Sequence, residues 1–108
     1  NIVEIIDYIN EHYMEDIYLD KLAMMYNTST KYLSKRVKQY LDIPFKDYLT
    51  QLRIDKAKEL LETTDCNITD LYQQVGFANR STFIRAFKLK VGITPSEYKN
   101  LYKNSKSS

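Results

Sequence analysis

Two stretches of this chain repeat one another at a spacing of about fifty residues, and an internal repeat constrains a fold more tightly than any single motif. Leu22 and Tyr26 in the first stretch match Leu71 and Val75 in the second. After one extra residue in the second turn, Leu33, Lys35, Val37, Lys38 and Leu41 match Phe83, Arg85, Phe87, Lys88 and Val91. Ile43, Asp47 and Tyr48 continue the match with Ile93, Glu97 and Tyr98. The matched apolar positions keep helical phase, so the chain is expected to build one small helical unit twice.

The second copy states the unit most fully. An apolar segment containing Leu71 and Tyr72 runs into Val75-Gly76-Phe77, and Gly76 supplies a backbone that tolerates positive φ in a tight turn. Asn79 or Ser81 can cap the helix that follows, in which Phe83, Ala86, Phe87 and Val91 form an apolar stripe. The opposing face carries Arg80, Ser81, Ile84, Arg85 and Lys88. After Gly92, Thr94 and Glu97 make a capping box with Pro95 at the first helical position, so a further helix is expected from there. This order is a helix-turn-helix signature.

From the start of the chain, Ile2, Ile5, Ile6, Ile9 and Tyr13 recur at helical spacing and predict an amphipathic first helix. A short helix is expected from about Asp20, its N-cap, to Met25, and Asn27-Thr28-Ser29 breaks it. The next helix, about Thr30 to Tyr40, places Leu33, Val37, Tyr40 and Leu41 on one face and Lys31, Ser34, Lys35 and Lys38 on the other. Pro44 opens a long helix ending near Thr63, apolar on more than one side. A short helix is expected over Thr69 to Val75, and the residues past Tyr102 read as a frayed tail. The fold class is therefore all-α, with seven helices forming two helix-turn-helix lobes joined by a long helix. The boundaries are lobe one at about 1–43, linker helix at about 44–63 and lobe two at about 64–104.

Net charge is only +2, yet its distribution is uneven. Lys31, Lys35, Arg36 and Lys38 lie between Asn27 and Leu41 with no acid among them, and Arg80, Arg85, Lys88 and Lys90 lie between Gly76 and Val91, again with none. Solvated helix faces usually mix both signs, so two one-signed segments point to a polyanion. A nucleophilic enzyme and a metal site are poorly supported, since His12 is the only histidine and lies far in sequence from Cys66. No cofactor is implied. The lone Cys66 excludes an internal disulfide and suits a reducing cytoplasm, and no apolar run is long enough for a membrane span. The start at Asn1, directly on a helical pattern, reads as a fragment of something longer. The competing class is a helical protein-interaction module, with Glu11, Glu15, Asp16 and Asp20 as its natural patch.

These residues resemble the AraC/XylS transcriptional regulators from about Ile5 to Tyr102. Ile68, Leu71, Val75-Gly76-Phe77, Phe83, Arg85, Phe87-Lys88, Gly92 and Thr94-Pro95-Ser96 to Tyr98 look like the family signature. Leu19, Leu22-Ala23, Leu33, Lys38, Tyr48, Leu52-Arg53, Ala57 and Leu60-Leu61 match more loosely. Asp42 departs from a position often held by glycine, and Tyr72 from one usually held by alanine. The resemblance implies double-stranded DNA as partner, with Thr30, Lys31, Ser34 and Lys35 facing it from one recognition helix and Arg80, Ser81, Ile84 and Arg85 from the other. Lys38, Lys88 and Lys90, with the hydroxyls of Ser29 and Thr82, are expected on phosphates. It also implies regulation of transcription initiation, with RNA polymerase as a possible second partner and dimerisation left to a missing domain. The isolated chain is expected to be a monomer. The linker, 19 residues from Pro44 to Glu62, would span roughly 28 Å as a helix, against about 34 Å between successive major-groove segments.

Overall fold

The computed structural model describes residues 1–107, and over them the chain is all-α: α1 (Ile2–His12), α2 (Leu19–Met25), α3 (Thr30–Leu41), α4 (Phe45–Thr63), α5 (Leu71–Gln74), α6 (Arg80–Val91) and α7 (Pro95–Ser107). It divides into two compact units, residues 1–52 and 53–108, and the division falls inside α4. Each unit has its own core. Ile5, Ile6 and Ile9 of α1, Leu22 and Ala23 of α2, Leu33 and Val37 of α3, and Phe45 and Leu49 of α4 bury together in unit one. Ile54, Ala57 and Leu61 of α4, Leu71, Val75 and Phe77, Phe83 and Phe87 of α6, and Tyr98 of α7 bury together in unit two.

The duplication therefore extends beyond the helix-turn-helix. α1 opens unit one as the later part of α4 opens unit two, and the start of α4 closes unit one as α7 closes unit two. In each unit a tyrosine of the closing helix donates its hydroxyl to the opening helix: Tyr48 to Asn10 Oδ1, and Tyr98 to Glu62 Oε2. Burial, then the hydrogen bonds to Glu62 and Tyr102, push the Tyr98 phenol well above its ordinary value. Its ring also meets the Phe87 ring edge-on, with centroids 5.6 Å apart.

Several local expectations shift. Asp20 is not the N-cap of α2; Leu19 already begins that helix, Tyr18 holds the cap position in extended backbone, and the Asp20 carboxylate points instead to Thr30. α5 is one turn, Leu71–Gln74, because residues before Leu71 form a turn in which Asn67 Oδ1 accepts the Thr69 N–H. Tyr40 is exposed rather than buried, leaving Leu33, Val37 and half-buried Leu41 as the inner face of α3. The tail is helical as far as Ser107, and Ser108 lies outside the described residues. The capping box does form: Thr94 N–H donates to Glu97 Oε1 at 2.9 Å, and Glu97 N–H to Thr94 Oγ1 at 3.2 Å.

Two predictions arise here. Asp42 and Gly92 are the C-caps of α3 and α6; both have positive φ, +65° and +100°, and both donate N–H to the lysine four residues back, Lys38 and Lys88, at 2.8 Å. An L-residue pays for that conformation, and a carboxylate at a helix C-terminus opposes the helix dipole. Asp42→Gly is expected to stabilise unit one by about 1 kcal/mol, and Gly92→Ala to cost unit two about 1–2 kcal/mol, read by chemical denaturation. No atom lies within 4 Å of a Cβ built on Gly92, so that cost is conformational rather than steric. The second concerns Glu97, whose carboxyl is held below its usual range by the Thr94 backbone N–H and then by the Thr94 side chain. A depressed carboxyl contributes stability that is present above its unfolded value and lost as pH falls through the lowered folded one. Amide exchange at the start of α7 should accelerate over that acidic window, and Glu97→Gln should remove the pH dependence.

Candidate nucleic-acid interface

In each unit a turn sets up the helix that carries its basic residues. In the first, Tyr26 to Ser29, Asn27 takes φ +53° and Thr28 N–H donates to Ala23 O at 2.9 Å. In the second, Val75 to Asn79, Gly76 takes φ +105° and Phe77 N–H donates to Tyr72 O at 2.8 Å. Asparagine is among the few non-glycine residues that adopt this region readily, which is how one turn is made with glycine and its copy without. Ser29 Oγ then accepts the Tyr32 N–H, and Asn79 Oδ1 the Thr82 N–H, each at 3.1 Å, so α3 and α6 start with equivalent side-chain caps. Phe77, the counterpart of Thr28, is buried, and its ring lies 5.3 Å from that of Phe83 and 5.8 Å from the Arg53 guanidinium.

From these caps the two helices run in the same pattern of exposure. Positions 33 and 37 of α3 and positions 83 and 87 of α6 are buried, positions 36, 41, 86 and 91 are half-buried, and all the others from 31 to 40 and from 81 to 90 are exposed. Every residue expected to face a partner is on the exposed side: Thr30, Lys31, Ser34, Lys35 and Lys38 on α3, and Arg80, Ser81, Thr82, Ile84, Arg85 and Lys88 on α6. Ile84 is 37% exposed, so most of its side chain is covered by its neighbours and the remainder is open to a partner. Neither helix holds a carboxylate. Arg36 belongs to the basic run of α3 but is half-buried, beside a cavity lined also by Ile2, Ile5 and Tyr26, and is thereby separated from the outward lysines.

The first residue of each of these helices is tied back to the segment that begins the preceding helix. Thr30 Oγ1–H donates to Asp20 Oδ1 at 2.8 Å; Arg80 Nη2 donates to the backbone oxygen of Thr69 at 3.4 Å. Arg80 also borders a groove of about 310 Å³ with Ile68, Thr69, Ile84, Thr94 and Ser96. Sequence reasoning missed Asp20 in this role. It also missed Tyr32, the counterpart of Thr82, which is 56% exposed on the same surface as Lys31 and Lys35. Carrying Thr82 back across the repeat would have found Tyr32, whereas nothing local to Asp20 announces its bond to a residue ten positions away.

Among the described residues no cluster of histidine, cysteine, aspartate or glutamate is placed to hold a metal, and no helix is long and apolar enough to cross a membrane. His12 Nδ1 lies 2.6 Å from Glu15 Oε2 and its ring stacks on Tyr8 with centroids 4.1 Å apart, while Cys66 lies in the other unit and offers its backbone oxygen to Lys99 at 2.7 Å. Glu15, Asp16, Tyr18, Asp20, Lys21 and Met24 line an open depression on unit one, distinct in composition from the basic faces.

A family described as a helix-turn-helix domain matches residues 22–101. An HTH-type transcriptional regulator of Staphylococcus aureus is 36% identical over 96 residues, which are 89% of this chain but 13% of that protein, so the chain spans a small part of that relative's length. The C-terminal domain of the two-component response regulator yesN from Fusobacterium nucleatum superposes with a TM-score of 0.83 at 40% identity, covering 88% of this chain and 93% of that domain. The DNA-binding domain of AdpA, a global transcriptional factor solved in complex with a target DNA, superposes with a TM-score of 0.90 over 98% of this chain and 96% of its own. At 22% identity that last likeness is one of fold.

Proposed function

The chain belongs to the AraC-type helix-turn-helix family of transcription regulators, and from that premise we propose that it binds double-stranded DNA through α3 and α6 and so regulates transcription initiation. The observation that carries the reading is the pair of helices with one exposure pattern, basic outward faces and no carboxylate. The family is one of DNA-binding regulators, not of enzymes. Arg85 and Arg80 are the base readers, because a guanidinium can donate two parallel hydrogen bonds to guanine O6 and N7. Ile84 suits a thymine methyl, and Ser81, Thr30, Lys31, Ser34 and Lys35 complete the groove-facing sets. Lys38, Lys88 and Lys90 neutralise phosphates, joined by the hydroxyls of Thr82 and of Ser29, whose oxygen accepts in the cap while its proton remains to donate. Arg80 must leave the Thr69 carbonyl to reach a base edge, and a single 3.4 Å bond is a weak restraint.

The isolated chain acts as a monomer in this reading, since each unit already supplies one reading helix. A regulator of initiation works at a promoter in the cytoplasm, which makes RNA polymerase its second partner. The test is a binding titration on duplex DNA. The logarithm of affinity should fall linearly with the logarithm of salt concentration, as counterion release requires, and the slope should shrink when Lys38 and Lys88 are both changed to alanine. A helical protein-interaction module should show no salt-dependent binding to duplex DNA.

A further inference from the structure

Resting on the DNA-binding reading above, we infer that Asp20 is a positioning residue for base recognition: by taking the Thr30 hydroxyl proton, it leaves Thr30 as an acceptor toward DNA. A threonine hydroxyl has one proton and two lone pairs. In this chain the proton is committed, since Thr30 Oγ1 donates to Asp20 Oδ1 at 2.8 Å, within the range of a well-formed O–H···O bond. An ionised carboxylate only accepts, so the direction of the bond is settled by chemistry. What Thr30 retains for a partner is its lone pairs.

Thr30 is the first residue of α3, and it is exposed. Residues at the N-terminal end of a recognition helix reach base edges in the major groove. There the exocyclic amino groups of adenine and cytosine donate, whereas guanine and thymine offer acceptors. An acceptor-only Thr30 selects adenine or cytosine at the base it meets, although a free hydroxyl rotates to suit either kind. The counterpart in unit two has the opposite polarity. Arg80, once it has left the Thr69 carbonyl, carries five N–H donors and no acceptor, so the first position of α6 can only donate. The two repeats, alike in backbone and burial, are thereby set to prefer opposite hydrogen-bonding edges at equivalent positions.

The experiment is selection of duplexes from a random pool by the intact chain, followed by affinity measurement on the selected site with each base at the Thr30 position. The wild-type chain should prefer adenine or cytosine at one position by roughly three- to tenfold, the size of one net hydrogen bond. Thr30→Val should abolish that preference and leave the others. Asp20→Ala should relax it to below twofold, because the hydroxyl proton is released, and the double variant should show nothing beyond the single ones. Asp20→Asn separates orientation from charge: its amide oxygen accepts the same proton, so base preference should persist even though removal of an acidic group near phosphates strengthens binding to all sequences. The inference is overturned if Asp20→Ala leaves the preference intact, if Asp20→Asn relaxes it as fully as alanine does, or if Thr30→Val changes no position while the wild type still selects a site. If the wild type selects no sequence at all, the DNA-binding reading itself fails, and the inference goes with it.

Discussion

Arg85→Ala should cost on the order of 1–3 kcal/mol on the best operator and relax preference at one base pair, whereas Lys88→Ala should weaken all sequences about equally and lower the salt slope by about one. The two substitutions remove the same formal charge from one helix, so a difference in kind reports on position. Both residues are exposed, and the buried face of α6 is carried by Phe83 and Phe87. Helical circular dichroism and melting temperature should therefore stay nearly unchanged. The measurement is a titration on operator and random duplex at several salt concentrations. Equal loss on both duplexes for Arg85→Ala would remove it from the base readers and shift specificity to Arg80, Ser81 or unit one.

The larger effect is on stability. Phe87 is wholly buried and its ring meets those of Phe83 at 5.9 Å and Tyr98 at 5.6 Å. Phe87→Ala is expected to cost about 3–5 kcal/mol through lost burial and the cavity left behind. A unit of this size has a total stability of roughly 3–8 kcal/mol, so the substitution should leave unit two largely unfolded. Unit one has a separate core of Ile9, Leu22, Leu33 and Val37, and its methyl resonances should keep their folded dispersion while those of Leu61 and Leu71 collapse. Val37→Ala, at the counterpart position, removes less volume and should have the smaller effect of the same kind on unit one. If unit one unfolds together with unit two in Phe87→Ala, the two cores are not independent.

Much was legible from the sequence because it is encoded locally. Helical periodicity places Leu33 and Val37 opposite Lys31 and Lys35, and Phe83 and Phe87 opposite Arg85 and Lys88, whatever the rest of the chain does. The Thr94–Glu97 capping box spans three residues, and its two hydrogen bonds follow from their spacing. The repeat carried the same information twice, which is why the outward faces of α3 and α6 and the extra residue of the second turn could be placed without coordinates. The assignment of that interface to DNA came from the uneven charge and from family resemblance, not from periodicity.

Long-range pairing belongs to tertiary structure. A pattern of apolar residues on more than one face of α4 does not say which of them belong to which core. Only the packed chain assigns Phe45 and Leu49 to one unit and Ile54, Ala57 and Leu61 to the other. Tyr48 finding Asn10 and Tyr98 finding Glu62 depends on distances between helices, as does the exposure of Tyr40 at the end of an otherwise inward stripe. Asp20 shows the difference most sharply: its residue type and place before an apolar segment are those of a helix N-cap, a role set by neighbours within one turn. Folding begins the helix one residue earlier and brings the start of α3 within 2.8 Å of the carboxylate. A side chain takes the partner that three-dimensional proximity offers. The sequence by itself determined the helices, their faces and the duplication, while packing alone decided which side chains meet across them, because hydrogen bonds depend on distances that periodicity does not contain.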